Sequence, residues 1–328
     1  MNKINWGIIG TGNIAHQFAS ALVTLSDAKL YAVTSRQQAT AVSFAQEFNI
    51  EHSYDELSSM LAEADLDVVY IATPHPQHYE QAKACILAGK SVLCEKPMTL
   101  NKAQSCELVA LAKQHQVFLM EAMMIPMFPA IQALQDLIAR GDIGTLKSIH
   151  AGMGFNSPRD WQSRVFNPEL AGGALLDVGI YPLTFAHILA NNSLTDISSQ
   201  VEKAETGVDL QSVVNLGYQS GVIASLSNSI GHFIPCVATV MGDKAMVEIP
   251  HFSYAPTELI IKDQMGNITN TLSFDNSQGA YYLEAQHVHH CLRNGLLESP
   301  LVPHQQTLAI LEMMDTLRAQ WQLVYPGE

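Results

Sequence analysis

Basic residues are few in this sequence, and they form no run. The chain of 328 residues has 17 Lys and Arg against 31 Asp and Glu, so its formal net charge at pH 7 is -14. This charge would repel an extended phosphate backbone. Nucleic acid is therefore not an expected partner.

Cysteine and long apolar runs are also scarce. The five cysteines are odd in number, scattered and without a C-x-x-C pair, which is typical of reduced thiols in a cytoplasmic protein. No stretch resembles the ~18 uncharged apolar residues of a membrane span, so no membrane partner is expected. His287, His289 and His290 have no Glu or Cys at zinc spacing, and we predict no metal site.

The first strong motif lies near the N-terminus. A strand-like run, Ile4 to Ile9, ends in Gly10-Thr11-Gly12-Asn13-Ile14-Ala15 and leads into a helical pattern, which is the G-x-G-x-x-G/A arrangement of dinucleotide-binding folds. Gly10 allows the tight turn, Gly12 lets the backbone approach a pyrophosphate, and the helix start supplies N–H groups. We expect residues of this turn to bind a dinucleotide: Gly10, Thr11, Gly12, Asn13 and Ile14.

The end of the second predicted strand, Leu30 to Thr34, bears on cofactor choice. NAD-binding units usually carry an acidic residue here for the ribose 2′-hydroxyl, whereas this chain has Ser35 and Arg36. A hydroxyl and a guanidinium suit a 2′-phosphate, which favours NADP, with NAD still possible. The alternative is that Arg36 simply caps an exposed strand end.

Helical and strand-like segments alternate through the first third of the chain, which predicts an α/β fold with a parallel sheet. After the strand Val68 to Ala72 comes a rigid loop with two prolines and two histidines. Four of its residues are predicted to line the cofactor pocket: Thr73, Pro74, His75 and His78. His78 is equally consistent with an ordinary residue in a helix's first turn.

The segment Ser91 to Thr99 places charge where a short buried strand ends. Ligands of open parallel sheets bind outside the carboxyl ends of the strands. Glu95 and Lys96 stand at such an end, so both are predicted to bind the cofactor. Pro97 biases Lys96 away from the α region, so the chain must turn there. The alternative interpretation is a solvated Lys-Pro turn.

A second polar constellation lies in Gly172 to Pro182. If this segment is helical, Asp177 and Tyr181 are four residues apart and share one face of an otherwise apolar helix. The alternative is a buried tyrosine bonded to a carboxylate for packing.

Taken in order, four motifs resemble those of the glucose-fructose oxidoreductase / inositol dehydrogenase / MocA superfamily, and within it the dimeric dihydrodiol dehydrogenases, also described as NADP-dependent D-xylose dehydrogenases. The motifs are Gly10-Thr11-Gly12, Thr73-Pro74-His75-Pro76-Gln77-His78, Cys94-Glu95-Lys96-Pro97 and Leu119-Met120-Glu121-Ala122. The resemblance implies a Rossmann domain with a doubly wound parallel sheet at 1–122. It implies a C-terminal α/β domain with a large, mostly antiparallel sheet at 123–328, for substrate binding and oligomerisation.

The resemblance also implies roles. Tyr181 matches the family's proton donor or acceptor, and Lys96 matches the lysine beside it. A free tyrosine has a pKa of about 10, and a nearby ammonium would lower it toward the working range. Asp177 would orient the substrate or the tyrosine, and Glu95 would support the lysine.

One region departs from the family pattern. Where relatives usually have Trp and Arg after the Met-Glu-Ala segment, this chain has Met124 and Pro126, so the substrate's identity stays open. Met124, Phe155 and Trp161 are the predicted substrate-binding residues, and Arg164 is a further candidate.

These patterns predict an NAD(P)-dependent oxidoreductase that moves a hydride between nicotinamide and a carbon-bound hydroxyl of a sugar, polyol or cyclic trans-diol. Two alternatives stay open: a reductase of deoxysugars or dicarbonyls, and a non-catalytic NADP-binding sensor. The family tends to form dimers or higher homo-oligomers through its open sheet. Val222, Ala224 and Leu226 are then expected on the exposed face.

Overall fold

The computed structural model describes residues 3–190, 193–326 and 328. Its first sheet consists of β1 (Ile4–Ile9), β2 (Ala28–Thr34), β3 (His52–Tyr54), β4 (Val68–Ile71), β5 (Ser91–Glu95) and β6 (Leu119–Ala122). The strand order is β3-β2-β1-β4-β5-β6, with every neighbouring pair parallel. The connecting helices are α1 (Asn13–Leu22), α2 (Gln38–Phe48), α3 (Leu57–Leu61), α4 (His78–Leu87) and α5 (Lys102–His115). The prediction of a doubly wound parallel sheet is confirmed.

This sheet has its topological switch between β1 and β4, which are neighbours in space but not in sequence. All of β4 is buried, as expected of a central parallel strand covered on both faces. The carboxyl ends of β1, β4 and β5 therefore meet at one edge, where doubly wound sheets bind their ligands.

One short strand was missed by the sequence pattern. The sequence pattern at 54–61 favours a short helix, but Tyr54 ends β3, and its partner in β2 is Thr34. The helix begins only at Leu57. Three residues are too few to show an alternating pattern, so pairing with β2 decides their conformation.

The second sheet consists of β7 (Leu146–Asn156), β8 (Leu194–Lys203), β9 (Asp209–Tyr218), β10 (Ile223–Ser229), β11 (Gly231–Gly242), β12 (Met246–Pro250), β13 (Glu258–Lys262) and β14 (Ile268–Ser273). Its order is β14-β13-β12-β11-β7-β10-β9-β8. Only β7 and β10 pair in parallel, so the predicted mostly antiparallel sheet is confirmed. The remaining helices are α6 (Pro129–Ala139), α7 (Ile180–Ala190), α8 (Ala280–Arg293) and α9 (His304–Trp321).

The sequence did not predict β14, which forms one edge of this sheet. Only Leu272 among its residues is even partly buried. Because neither face of the strand packs on a core, its sequence shows no alternation of apolar and polar residues.

The prediction that Val222, Ala224 and Leu226 form the exposed face is wrong. They are only 3%, 0% and 1% exposed, because this face of β10 packs under α7 and the turn that precedes it. This sheet does have exposed apolar residues, but they are others, on β9, β10 and β11: Val213, Ile223, Phe233 and Val237.

The chain divides into two compact units, Met1–Met123 with Gln278–Leu308 and Met124–Ser277 with Ala309–Glu328. This division differs from the predicted 1–122 and 123–328 because α8 returns to the first unit. There Trp6 Nε1 donates to His289 Nε2 at 2.9 Å, and Arg293 pairs with Asp27 at 2.5 Å. These contacts anchor α8 to the start of the chain.

One segment, Pro168–Ala190, is long and apolar enough to cross a membrane by length and composition, although none was predicted. Of its most apolar window, 83% is buried inside the protein. It is packed as a core segment.

Candidate active site

The glycine turn after β1 has the geometry that its motif predicts. Gly10 has a φ of 98°, and its N–H donates to the Thr34 carbonyl at 2.9 Å. A Cβ at Gly10 would lie 2.9 Å from the Ala72 carbonyl oxygen. Both the positive φ and the close approach of β4's end therefore require glycine here.

Gly12, unlike Gly10, is surrounded by open space. It precedes the first turn of α1, and within the described residues no atom lies within 4 Å of a Cβ built on it. Gly12, Asn13 and Ile14 are exposed, and Thr11 is partly so. The backbone N–H groups at the helix start are thus open to an anionic ligand, which fits a dinucleotide's pyrophosphate.

Ser35 and Arg36 follow β2 at the same sheet edge. Thr40 Oγ1 donates to the Gln37 carbonyl at 2.9 Å, so the 2.6 Å bond between Ser35 and Thr40 has Ser35 as its donor. Arg36 is exposed. The Ser35 and Thr40 hydroxyls and the Arg36 guanidinium thus follow the end of β2, where the sequence predicts binding of a 2′-phosphate.

His78 joins the loops that follow β4 and β5. It is 0% exposed, with Nδ1 2.9 Å from the Pro97 carbonyl and Nε2 2.8 Å from the Thr73 carbonyl. Burial lowers the pKa of His78, while the two carbonyls act to raise it. His78 therefore connects the two loops through these contacts. Its predicted role in binding the cofactor stays a prediction.

The other residues of the loop after β4 lie around this connection. Thr73 Oγ1 donates to Gln81 at 2.6 Å. Pro74 is half-buried and precedes a short 3-10 helix, which begins at His75. The His75 ring lies edge-on to the His78 ring, with centroids 5.8 Å apart.

Glu95 is the last residue of β5, and Lys96 follows it. The Tyr70 hydroxyl donates to Glu95 Oε1, and the Lys96 backbone N–H donates to Glu95 Oε2 at 3.2 Å. Burial and the charge of Glu95 raise the pKa of Tyr70 well above its ordinary value, so Tyr70 remains a donor. Its ring stacks on Phe18 at 3.7 Å. Glu95 is thereby fixed against the half-buried Lys96, and the Lys96-Pro97 peptide bond is cis.

Glu121 bonds to the segment that follows Pro97. It is buried, and it accepts hydrogen bonds from the Met98 N–H at 2.9 Å and from the Thr307 hydroxyl at 3.0 Å. Burial raises its pKa. Sequence reasoning noted Glu121 only as part of a motif and missed this support, because Thr307 is far along the chain.

In the second unit, Asp177 lies in a π turn, Leu175–Gly179, that leads directly into α7. π turns bond i to i+5 and occur frequently at functional sites. Arg164 Nη2 contacts Asp177 Oδ1 at 2.9 Å, and the Asp177 side chain is 12% exposed. Tyr181, in the first turn of α7, is 8% exposed. A carboxylate and a phenol thus begin an apolar buried helix.

The residues predicted on the substrate side lie in the same unit. Phe155, near the end of β7, is half-buried, and β7 packs against the π turn. Trp161 packs edge-on against Phe166 at 5.1 Å, with the Arg159 guanidinium 5.9 Å from its ring. Met124 is buried at 9% exposure.

Asp209 is the residue of this unit that sequence reasoning missed. It is fully buried, and its Oδ2 accepts the Leu175 N–H at 2.6 Å where the π turn begins. Nothing local distinguishes an aspartate at a strand start from a surface residue, so only the structure reveals it.

The doubly wound parallel sheet with its open glycine turn has the architecture of a dinucleotide-binding domain, the class of domain that oxidoreductases use for their nicotinamide cofactors. Comparison with known proteins makes the assignment specific. Residues 4–123 match the model of the GFO/IDH/MocA oxidoreductase family with NAD-binding Rossmann fold, and residues 131–248 match the GFO/IDH/MocA C-terminal domain. The chain belongs to the GFO/IDH/MocA oxidoreductase family.

Relatives extend the match over the whole chain. The chain is 38% identical to trans-1,2-dihydrobenzene-1,2-diol dehydrogenase of Mus musculus, covering 99% of both proteins, and 35% identical to that of Homo sapiens, also covering 99% of both. The structure of KijD10, a 3-ketoreductase from Actinomadura kijaniata in complex with NADP and TDP-benzene, is similar with a TM-score of 0.87 at 24% identity, covering 97% of this chain and 98% of that one. An aldose-aldose oxidoreductase from Caulobacter crescentus has a TM-score of 0.87 at 21% identity, covering 98% of each.

Proposed function

We propose that this protein is an NADP-dependent dehydrogenase that acts on a carbon-bound hydroxyl of a sugar, a polyol or a cyclic trans-diol. The observation that carries the proposal is the pair of Asp177 and Tyr181 on the buried π turn and first turn of α7. The full-length relatives named as dihydrodiol dehydrogenases support this substrate class.

The first unit fits the cofactor. The space at Gly12 and the exposed start of α1 would receive the pyrophosphate, with Ser35 and Arg36 at the 2′-phosphate. When bound, nicotinamide accepts or donates the hydride. The protein's own residues must orient the alcohol and move its proton.

The proposed proton transfer takes place at Tyr181, and four other residues of this chain support it. Tyr181 takes the hydroxyl proton in oxidation and returns it in reduction. Lys96 supplies a positive charge that favours the phenolate, and Glu95 holds Lys96 through its backbone N–H. Asp177 orients Tyr181 or a substrate hydroxyl, with Arg164 holding the carboxylate in place.

Tyr181→Phe tests this assignment because it removes only the hydroxyl. We expect kcat to fall by about 10²- to 10⁴-fold, the range that general acid–base catalysis contributes, with the Kd for NADP unchanged. NADPH formation is followed with a panel of polyols, aldoses and cyclic trans-diols.

The matched control is Tyr218→Phe, since the Tyr218 hydroxyl is buried and has no hydrogen-bond partner among the described residues. This variant should keep normal turnover. If Tyr181→Phe turns over at nearly the normal rate, the role of Tyr181 is refuted. If the unmodified protein binds NADP but converts none of these compounds in either direction, the sensor interpretation replaces the enzyme.

Arg36→Ala tests the choice of cofactor. We expect NADP binding to weaken by at least about tenfold, which is about 1.4 kcal/mol, with NAD binding unchanged, because only NADP carries a 2′-phosphate. Titration by tryptophan fluorescence or calorimetry measures both. Lys113→Ala removes an equally exposed charge from α5 and should change neither affinity. Equal loss for NADP and NAD would contradict the assignment.

We also propose that copies of the chain associate as a homo-oligomer in the cytoplasm. The exposed apolar side chains Val213, Phe233 and Val237 on the second sheet support this, because such residues are commonly covered at interfaces.

A further inference from the structure

The segment that leads into the π turn has a backbone that needs external support. Gly173 has a φ of 121°, and the following residues begin a helix whose first N–H groups have no acceptor within the helix. The acceptor at Leu175 comes from β9, 34 residues further along the chain, where Asp209 Oδ2 lies 2.6 Å from the Leu175 nitrogen. A carboxylate at this end of a helix is also favoured by the helix dipole.

The backbone at Gly173 packs tightly against Asp209. A Cβ on Gly173 would lie 2.1 Å from Asp209 Oδ1 and 3.2 Å from the Tyr325 hydroxyl. That hydroxyl donates to the Gly172 carbonyl at 2.7 Å. The entry to the π turn is therefore fixed by one side chain from β9 and one from the C-terminal segment.

The other end of the π turn packs closely against β10. A Cβ on Gly179 would lie 2.9 Å from Asn228 Nδ2, and that nitrogen donates to Ser212 Oγ at 2.8 Å. Asp177 lies between the hydrogen-bonded start and the closely packed end of this turn, and Tyr181 follows the end. Displacing the first turn would therefore displace both residues.

We infer that Asp209 is a positioning residue: its carboxylate holds the start of the π turn so that Tyr181 and Asp177 are correctly placed for proton transfer. The inference rests on the proposed role of Tyr181. Asp209 touches neither substrate nor cofactor in this assignment and acts only through the backbone of Leu175.

The charge state of Asp209 gives this role a pH dependence. Burial raises its pKa to about 7, against the lowering effect of the N–H groups of Leu175, Asp209 itself and Ala174 and of the Arg318 charge. Arg318 and Tyr325 are the titratable groups that face it from the C-terminal segment, and Arg318 is itself paired with Glu328 at 2.7 Å. The ionised carboxylate is the stronger acceptor. Positioning should therefore weaken as pH falls through about 7.

The contribution of Asp209 to the free energy of unfolding depends on pH in the opposite direction to its positioning role. Because the folded pKa lies above the ordinary 3.8, folding favours the neutral acid, and this contribution is lost as pH rises through about 7. A variant that is neutral at every pH should therefore lose activity without losing stability. A purely structural residue would lose both together.

Asp209→Asn is the test, since the amide keeps the shape and one acceptor. At pH 8 we expect kcat to fall by about 10- to 100-fold, as misplacement of about 1 Å can cause. KM and the Kd for NADP should change little, and Tm should be equal or higher. The ratio of wild-type to variant kcat should approach one as pH falls below 7.

The matched control is Asp263→Asn. Asp263 Oδ1 accepts hydrogen bonds from the N–H groups of Met265 and Asn267 at 2.8 and 2.9 Å in the turn between β13 and β14. It therefore accepts backbone hydrogen bonds as Asp209 does, but away from the π turn. Its kcat should be normal.

The outcomes separate the two claims. If Tyr181→Phe is inactive while Asp209→Asn has a normal kcat and pH profile, this inference alone is refuted. If Tyr181→Phe is active, the proposed function fails and this inference with it. If Asp209→Asn does not fold, the unmodified enzyme decides, since a kcat that does not fall below pH 7 excludes the role.

Discussion

Replacing Lys96 by methionine is expected to lower kcat by about 10²- to 10³-fold, the loss seen when one electrostatic stabiliser of a developing oxyanion is removed. Methionine retains the length and apolar stem of lysine but lacks the ammonium. The backbone N–H that donates to Glu95 at 3.2 Å is retained. The bonds that His78 makes to Pro97 and Thr73 also do not involve the lysine side chain. The fall in kcat should therefore measure the effect of removing the ammonium charge.

The pH profile distinguishes this effect from a structural one. In the proposed role the Lys96 charge favours the Tyr181 phenolate, which is the form that accepts the proton in oxidation. Its removal should raise the pKa of that base and move the acidic limb of kcat for oxidation to higher pH. Steady-state kinetics across pH, with the unmodified enzyme and Lys96→Met side by side, measures both the loss and the shift. Binding of NADP should weaken at most modestly, because the proposed site of pyrophosphate recognition is the glycine turn with Gly12.

Lys113→Met provides the control for Lys96→Met. Lys113 is an exposed lysine in the last turn of α5, and its replacement should leave kcat unchanged. A Lys96→Met enzyme within a few-fold of normal turnover would show that the charge takes no part in the reaction.

Gly173→Ala is expected to produce the largest structural loss. Its φ of 121° disfavours any residue with a Cβ, and the added methyl would lie 2.1 Å from Asp209 Oδ1. The strained backbone costs about 1–3 kcal/mol and overpacking adds a similar amount. The variant should melt several degrees lower and turn over at least about 10²-fold more slowly, because the displaced turn carries Asp177.

Gly207→Ala separates these two causes. Gly207 also has a positive φ, 91°, but no described atom lies within 4 Å of a Cβ built there. It should show only the backbone strain, with a smaller drop in Tm and normal kcat. Equal effects of the two substitutions, measured by thermal unfolding and turnover, would show that the contact with Asp209 is not responsible.

The parallel sheet could be predicted because its signals are local. The apolar run Ile4 to Ile9, the glycine turn and the helical pattern after it are contiguous, and the structure has β1 and α1 there. The position of Lys96 at a strand end followed in the same way from the short run before it and from Pro97. Such patterns depend on residues within about one helical turn or one strand of each other.

The exposed face of the second sheet could not be predicted, although its strands could. Alternation in β10 shows that two faces differ, but not which of them is covered. That depends on the π turn and α7, which pack on β10, where Ala224 and Leu226 are buried. The edge strand β14 escaped prediction because it has no covered face.

The sequence by itself determined the fold class, the dinucleotide turn, the family, and the identities of Lys96, Asp177 and Tyr181 as the residues to test. Only the tertiary structure decided that α8 returns to the first unit through Trp6 and His289, 283 residues apart, and that Asp209 holds Leu175. The reason is physical: periodicity and turn chemistry record a residue's neighbours along the chain, whereas burial and hydrogen-bond partners are set by segments that meet only when the chain folds.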